Sequence, residues 1–167
     1  MTVRTLCASP VLAMTLPLKL TLALALAWTA WSPARATTTP QAPEVDTREL
    51  PALAPGWADH NPLREVPMAQ AIGRQAYHQA CARCHGVEAD GSRAPAPDLR
   101  RIGKACQRLQ DPVWRQRCLS DSDHFFVQSV RFGKKKFDIE HMPAWEGVLS
   151  PQVVWSIRSF VEHAPKP

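Results

Sequence analysis

The 167-residue chain lacks several features that would assign it to other classes of protein. Its longest apolar run, residues 20–31, is too short for a reliable membrane span, and no stretch alternates polar and apolar residues as a strand does. There are no internal repeats. The small excess of 20 basic over 15 acidic residues gives no indication of nucleic-acid binding. These absences favour an all-α class, with short helices and long loops.

Cysteine is scarce, and two of the five cysteines belong to the most informative motif of the chain. Residues 81–85 read C-x-x-C-H, the attachment signature of c-type haem. Two thiols three positions apart can form thioethers with both vinyl groups of one haem, and the next imidazole can then bind the iron from below. The motif predicts one covalent haem c, attached through Cys81 and Cys84 and ligated by His85.

Two other kinds of site use closely spaced cysteines. A redox dithiol is typical of a thioredoxin-like βαβ unit, which the sequence around the motif does not indicate. A zinc site needs a second Cys/His pair at ligand spacing, and none is evident. Haem attachment is therefore the preferred interpretation.

The first 36 residues have the three parts of a secretory signal peptide. A basic start is followed by the apolar run of residues 20–31 and by an A-x-A cleavage site at residues 34–36. Met14 could be the true start, since a complete signal follows it. We expect cleavage, export to the periplasm and no stable membrane insertion; an uncleaved anchor is the alternative.

The remaining cysteines are consistent with export to the periplasm. Removal of the signal leaves 17 basic and 15 acidic residues, a charge of about +2. The haem uses two of the four cysteines left, so Cys106 and Cys118 remain in a compartment that oxidises thiols. We predict a disulfide between them; the alternative is two buried free thiols.

The mature chain divides into a tail and one small domain. Residues 37–66 are rich in proline and predict an extended or disordered tail, in which Trp57 could dock on the domain. Residues 67–167 predict the domain itself. Its expected helices lie near residues 68–80, 104–108, 112–118 and 123–132, with Ser120 to Asp123 supplying caps, and a last helix runs from Pro151 after Ser150. Residues 134–145 are expected to form a loop.

Together with the haem motif, these features resemble a class I c-type cytochrome. Gly73 and Tyr77 precede the motif at helical spacing. In that family the corresponding residues pack against an aromatic residue of the last helix, for which Trp155 is the candidate. The resemblance implies a monohaem cytochrome c fold, in which short helices surround the covalently bound haem.

The same resemblance implies two further residues of the haem site. Pro97 matches the proline whose carbonyl accepts a hydrogen bond from the proximal imidazole, and Pro95 is a nearby alternative. Met142, followed by Pro143, lies where the family places its distal iron ligand. His141 is the rival ligand at that position.

A filled iron coordination sphere implies a one-electron carrier rather than an enzyme. Cys106, Cys118 and residues 141–150 resemble periplasmic cytochromes that accept electrons from PQQ-dependent (quinoprotein) alcohol dehydrogenases. The expected acceptor is a terminal oxidase or another cytochrome. The alternatives are a haem-based sensor or peroxidase with a labile sixth ligand, and a membrane-anchored subunit of a respiratory complex.

Two basic runs could steer partner proteins towards the haem. They are residues 134–136, all lysine, and the pair Arg100 and Arg101. Solvated charge on a loop is an equally good interpretation of both runs.

Overall fold

Four α-helices and one small hairpin form the described part of the chain, residues 39–165 of a computed structural model. The predicted signal peptide lies outside the described residues. No helix within residues 39–165 is long and apolar enough to cross a membrane. The elements are α1 (Pro67–Ala80), α2 (Ala82–His85), α3 (Pro112–Phe132), β1 (Lys134–Lys136), β2 (Ile139–Met142) and α4 (Pro151–His163), with 3-10 turns at Val87–Ala89, Gly91–Arg93, Leu99–Arg101 and Cys106–Arg108.

The mostly helical class is confirmed, with one local difference in the segment expected to be a loop. There, β1 and β2 pair as an antiparallel hairpin, with Lys135 opposite Glu140. Phe137 and Asp138 form the tight connection, both with positive φ. Almost every residue of the two strands is exposed, so neither face carries the apolar stripe that reveals a strand in a sequence.

Helices α1 and α4 cross at very close range, and the crossing depends on Gly73. A Cβ atom on residue 73 would lie 1.9 Å from the carbonyl oxygen of Ser156. One turn further on, the ring of Tyr77 lies 5.1 Å from the ring of Phe160. The expectation that Trp155 is this partner is therefore wrong. Ser156 and Phe160 are four residues apart and share one face of α4, whereas Trp155 is rotated away from it.

The prediction of two helices separated by caps near residues 120–123 is also wrong. Helix α3 is continuous through this segment. Its true cap is Asp111, whose carboxylate accepts backbone hydrogen bonds of 2.8 and 3.1 Å from the first turn. Helix α4 is capped as expected, because the Ser150 hydroxyl accepts a hydrogen bond from the Val153 backbone.

Asp123 acts in the core instead of at a helix end. Its carboxylate is fully buried and lies 2.8 Å from Arg158 Nε on α4. A second contact, of 2.6 Å, joins it to Arg64. A buried carboxylate needs such partners, and here they lie 35 and 59 residues away in sequence.

Residues 39–66, called the N-terminal strap below, are extended and pack on the helices. Leu50 and Leu63 are buried in the hydrophobic core, and Asn61 donates its backbone N–H to Asp123 at 2.8 Å. Trp57 lies over the guanidinium of Arg131. The sequence left extended and disordered states open for this segment, because its buried residues follow no regular period. The boundary between tail and domain stays a prediction.

Candidate haem-binding site

The haem motif lies at the junction of α1 and α2. Cys81 ends α1 with a 2.8 Å backbone hydrogen bond to Tyr77, and the backbone N–H of His85 bonds the Cys81 carbonyl at 3.0 Å. One helical turn therefore carries both thiols and the imidazole. The Tyr77 hydroxyl donates to the Gly86 carbonyl at 2.8 Å, which fixes the exit of the motif against α1.

His85 is oriented by a hydrogen bond to the loop that follows. Its Nδ1 atom lies 2.9 Å from the carbonyl oxygen of Pro97. A carbonyl can only accept, so Nδ1 carries the proton, and in the neutral ring Nε2 keeps its lone pair for a metal. Of the two prolines left open by the sequence, Pro97 rather than Pro95 makes this contact. The role of the pair in haem binding stays a prediction.

A buried arginine holds the segment that presents Pro97. Arg100 donates to both carboxylate oxygens of Asp98, at 3.0 and 2.7 Å, and to Asp90 at 2.8 Å. These hydrogen bonds are the main reason that the pKa of Asp98 lies below its usual value. Because Arg100 is buried, it is not available as a steering charge, and only Arg101 of that pair is exposed.

Met142 ends β2 and differs from the preceding His141 in its burial. Met142 is half-buried and packs against the hydrophobic core, whereas His141 is exposed. The hairpin register is irregular between Lys134 and Lys135, so burial and not strand alternation distinguishes the two residues. The arrangement favours Met142 over His141 as the inward-facing donor; ligation itself stays a prediction.

Gly133 allows the backbone on both sides of the hairpin to approach closely. It follows α3 with φ of +67°, and a Cβ atom there would lie 2.4 Å from the Met142 carbonyl oxygen. Beyond Met142, the backbone N–H of Trp145 bonds the Val130 carbonyl at 3.0 Å. Met142 is thus set against the last turn of α3.

The donor set fits a covalently attached haem better than the alternatives. Burial, and then the neighbouring Cys84, raise the pKa of Cys81 to about 12, whereas a redox dithiol needs an easily formed thiolate. Within residues 39–165 no group of three or more His, Cys, Asp or Glu side chains could hold a metal ion. Two thiols, one free imidazole nitrogen and one inward thioether match haem c.

A cavity of about 910 Å³ lies beside this region, but the haem motif and Met142 do not line it. Its walls are mainly apolar, with Ile102, Leu109, Trp114 and Phe125 among them, and Arg101 and Arg117 also line it. Ile102 follows the turn after Pro97, so the cavity adjoins the proximal loop without itself defining a haem position.

The predicted disulfide between Cys106 and Cys118 is confirmed. Their Cα atoms are 5.4 Å apart, and the bond joins the turn Cys106–Arg108 to α3. Cys118 also lines the cavity, so the cross-link holds one wall of that cavity in place.

Sequence reasoning missed two sets of contacts around the site. The Asp98 and Arg100 pair had a local signal, since Asp before a short turn is a common cap. The pair formed by Arg131 and Glu146 had none, because its members are 15 positions apart in sequence, on opposite sides of the hairpin.

Comparison with known proteins agrees with this geometry. A profile of the family described as "Cytochrome C oxidase, cbb3-type, subunit III" matches residues 69–161, from α1 to α4. Cytochrome c550 of Pseudomonas aeruginosa is 36% identical over 128 residues, which cover 74% of this chain and 77% of that protein. No solved structure is significantly similar to the chain. The chain therefore belongs to the cytochrome c family, and its cofactor is a covalently bound haem c.

Proposed function

We propose that the protein is a periplasmic one-electron carrier whose single haem c is ligated by His85 and Met142. The observation that carries this proposal is the 2.9 Å hydrogen bond from His85 Nδ1 to the Pro97 carbonyl. It fixes the tautomer and the orientation in which an imidazole is a strong axial ligand. Members of the cytochrome c family are typically electron carriers located outside the cytoplasm.

The chain's own residues have separate tasks in this mechanism. Haem c supplies one-electron exchange between ferric and ferrous iron. Cys81 and Cys84 hold the group covalently, and His85 presents Nε2 from a ring that the Pro97 carbonyl holds in place. Met142 supplies a thioether, which raises the reduction potential relative to a second histidine. If His85 and Met142 both bound the iron, no coordination position would be left for a substrate, and the protein would carry electrons rather than act as an enzyme.

The electron donor that we propose is a quinoprotein alcohol dehydrogenase. The support is the resemblance of residues 141–150 to cytochromes that serve these enzymes, together with the extra disulfide between Cys106 and Cys118. A terminal oxidase or another cytochrome is the proposed acceptor. The matching family profile takes its name from an oxidase subunit, which supports an acceptor of this class.

The lysines of β1 provide a means of steering the partner. Residues 134–136 are exposed and lie in the hairpin that ends at Met142. Positive charge next to an electron-transfer site raises the rate of encounter with an acidic surface, and salt weakens this effect. We therefore expect the reaction with the donor to be slower at high ionic strength.

The proposal is tested by anaerobic mixing of the ferric protein with a purified quinoprotein alcohol dehydrogenase and an alcohol. Reduction of the haem is followed optically. We expect reduction within the turnover time of the enzyme, and a falling rate as salt is added. Failure to reduce the haem would exclude this donor, and a rate independent of salt would exclude the steering role of residues 134–136.

A second candidate function is a subunit of a respiratory oxidase, since the family profile carries that description. Such a subunit would co-purify with the oxidase from solubilised membranes. A free carrier would instead appear in the periplasmic fraction with a mature N-terminus after residue 36. N-terminal sequencing of each fraction separates the two candidates.

A further inference from the structure

We propose that Trp57, Arg131 and Glu146 are positioning residues for the sixth iron ligand, so that the N-terminal strap helps to hold Met142 in place. The inference rests on the proposed function, in which Met142 ligates the iron. It assigns a task to a segment that the sequence marks only as a proline-rich tail.

The first step is the link between α3 and the loop after Met142. Arg131 Nε lies 2.6 Å from Glu146 Oε2, and Arg131 Nη2 lies 3.0 Å from Oε1. The backbone N–H of Glu146 also bonds the Arg131 carbonyl at 3.0 Å. A two-pronged guanidinium–carboxylate pair is directional as well as strong, so Glu146 has one preferred position relative to α3.

The second step is the contact between the strap and this pair. The ring of Trp57 lies 4.9 Å from the Arg131 guanidinium carbon, and the ring of Phe132 lies 4.7 Å from it. The Arg131 side chain is 20% exposed beside these rings, and the Glu146 side chain is 45% exposed. Aromatic rings that exclude water from a guanidinium strengthen its pairing with a carboxylate beyond that of an open surface pair.

The third step is that the strap is itself anchored on both sides of Trp57. Leu50 is 6% exposed and Leu63 is 0% exposed, both within the hydrophobic core. The Leu63 carbonyl also accepts a hydrogen bond of 2.9 Å from the Ser159 hydroxyl on α4. Trp57 is therefore supported by the core through the chain before and after it.

The last step is the short distance along the chain from the pair to the ligand. Only residues 143–145 separate Met142 from Glu146, and Pro143 restricts the first of them. On the other side, Met142 pairs with Lys134 in the hairpin. Loss of the side-chain pair would leave the loop held by that short hairpin and by the backbone hydrogen bonds of Trp145 and Glu146 to α3, and Met142 would leave the iron more often.

The test is the rate at which imidazole replaces Met142 on the ferric haem, measured by stopped-flow absorption on the full mature protein. Glu146→Gln removes the ion pair and keeps the size of the side chain, and Trp57→Leu removes the ring. Each variant should bind imidazole about fivefold faster, as expected from the loss of one contact to Arg131. Asp46→Asn is the matched control, because it breaks an exposed ion pair of the same strap with Arg48.

The double variant Trp57→Leu/Glu146→Gln adds a second measurement. If both residues act through Arg131, its rate should rise by less than the product of the two single effects. Far-ultraviolet circular dichroism checks folding, and if Trp57→Leu does not fold, Glu146→Gln decides alone.

The possible outcomes separate this inference from the function on which it rests. Wild-type protein that shows no thioether-ligated ferric haem contradicts the proposed ligation by Met142. Wild-type protein with that ligation, and Glu146→Gln that binds imidazole at the wild-type rate, overturns the positioning role alone.

Discussion

The Nδ1 atom of His85 lies 2.9 Å from the carbonyl oxygen of Pro97, so the haem motif at the end of α1 is tied to the loop before Leu99–Arg101. The bond uses a backbone carbonyl, and any residue at position 97 has one. The sequence instead determines the geometry of the loop, which directs this carbonyl towards His85. Pro97 restricts the backbone, and the next residue, Asp98, is held by Arg100.

Arg100 should therefore influence the iron without touching it. Arg100→Lys keeps the charge but loses the fork that bonds Asp98 and Asp90 together. A looser loop weakens the bond to His85, which makes the imidazole a poorer donor and stabilises ferric iron less. We expect a higher reduction potential by redox titration. Arg93→Lys, at an exposed position nearby, is the control; an unchanged or lower potential in Arg100→Lys would contradict the prediction.

Because of Asp98, the stability of the fold should decrease at acidic pH. Hydrogen bonds from Arg100 hold its pKa below the usual 3.8, so the carboxylate stabilises the fold above that pH. This stabilisation is lost as the pH falls through the lowered pKa. The melting temperature of wild-type protein should exceed that of Asp98→Asn near neutral pH, and the difference should shrink below about pH 4. A difference in melting temperature that stays constant down to the lowest pH measured would contradict this role of Asp98.

The crossing of α1 and α4 should not accept a side chain at residue 73. In Gly73→Ala the new Cβ would meet the Ser156 carbonyl oxygen at 1.9 Å unless the helices move apart. We expect a loss of about 1–3 kcal/mol in the free energy of unfolding, as for other overpacked sites. Gln75→Ala, on the exposed side of α1, is the control for denaturant titration. Equal midpoints for the two variants would show that the crossing tolerates the methyl group.

The disulfide should contribute to stability through the unfolded chain. It joins cysteines 12 residues apart, and closing such a loop stabilises the fold by about 3 kcal/mol in the chain-entropy model. The variant Cys106→Ser/Cys118→Ser should lose that amount in denaturant titration. Reduction of wild-type protein should have the same effect; a variant as stable as the oxidised protein would show that the cross-link is energetically neutral.

The sequence predicts those parts of the fold that depend on residues close together in the chain. Helix α4 has an apolar stripe after the Ser150 cap, and the C-x-x-C-H motif lies within five residues. Both the helix and the haem could be predicted from the sequence for this reason. The same reasoning failed at Asp123, because a polar residue in a helix resembles a cap until its partner Arg158 is known, 35 residues later.

The packing of the N-terminal strap and the hairpin could not be predicted from the sequence, for two different reasons. Leu50 and Leu63 are buried without any regular spacing between them, so no period marked their segment as part of the core. The hairpin is too short and too exposed to show alternation. Its register is also irregular between Lys134 and Lys135, so simple alternation could not predict that Met142 is half-buried while His141 is exposed.

The central claim, a haem c ligated by His85 and Met142, is tested most directly by the proton NMR spectrum of the reduced protein. A methionine methyl group bound to haem iron lies over the ring, whose current shifts its resonance far upfield. We expect one such three-proton signal in wild-type protein and its loss in Met142→Ala. A wild-type spectrum without the signal, or a signal that persists in Met142→Ala, would contradict the claim.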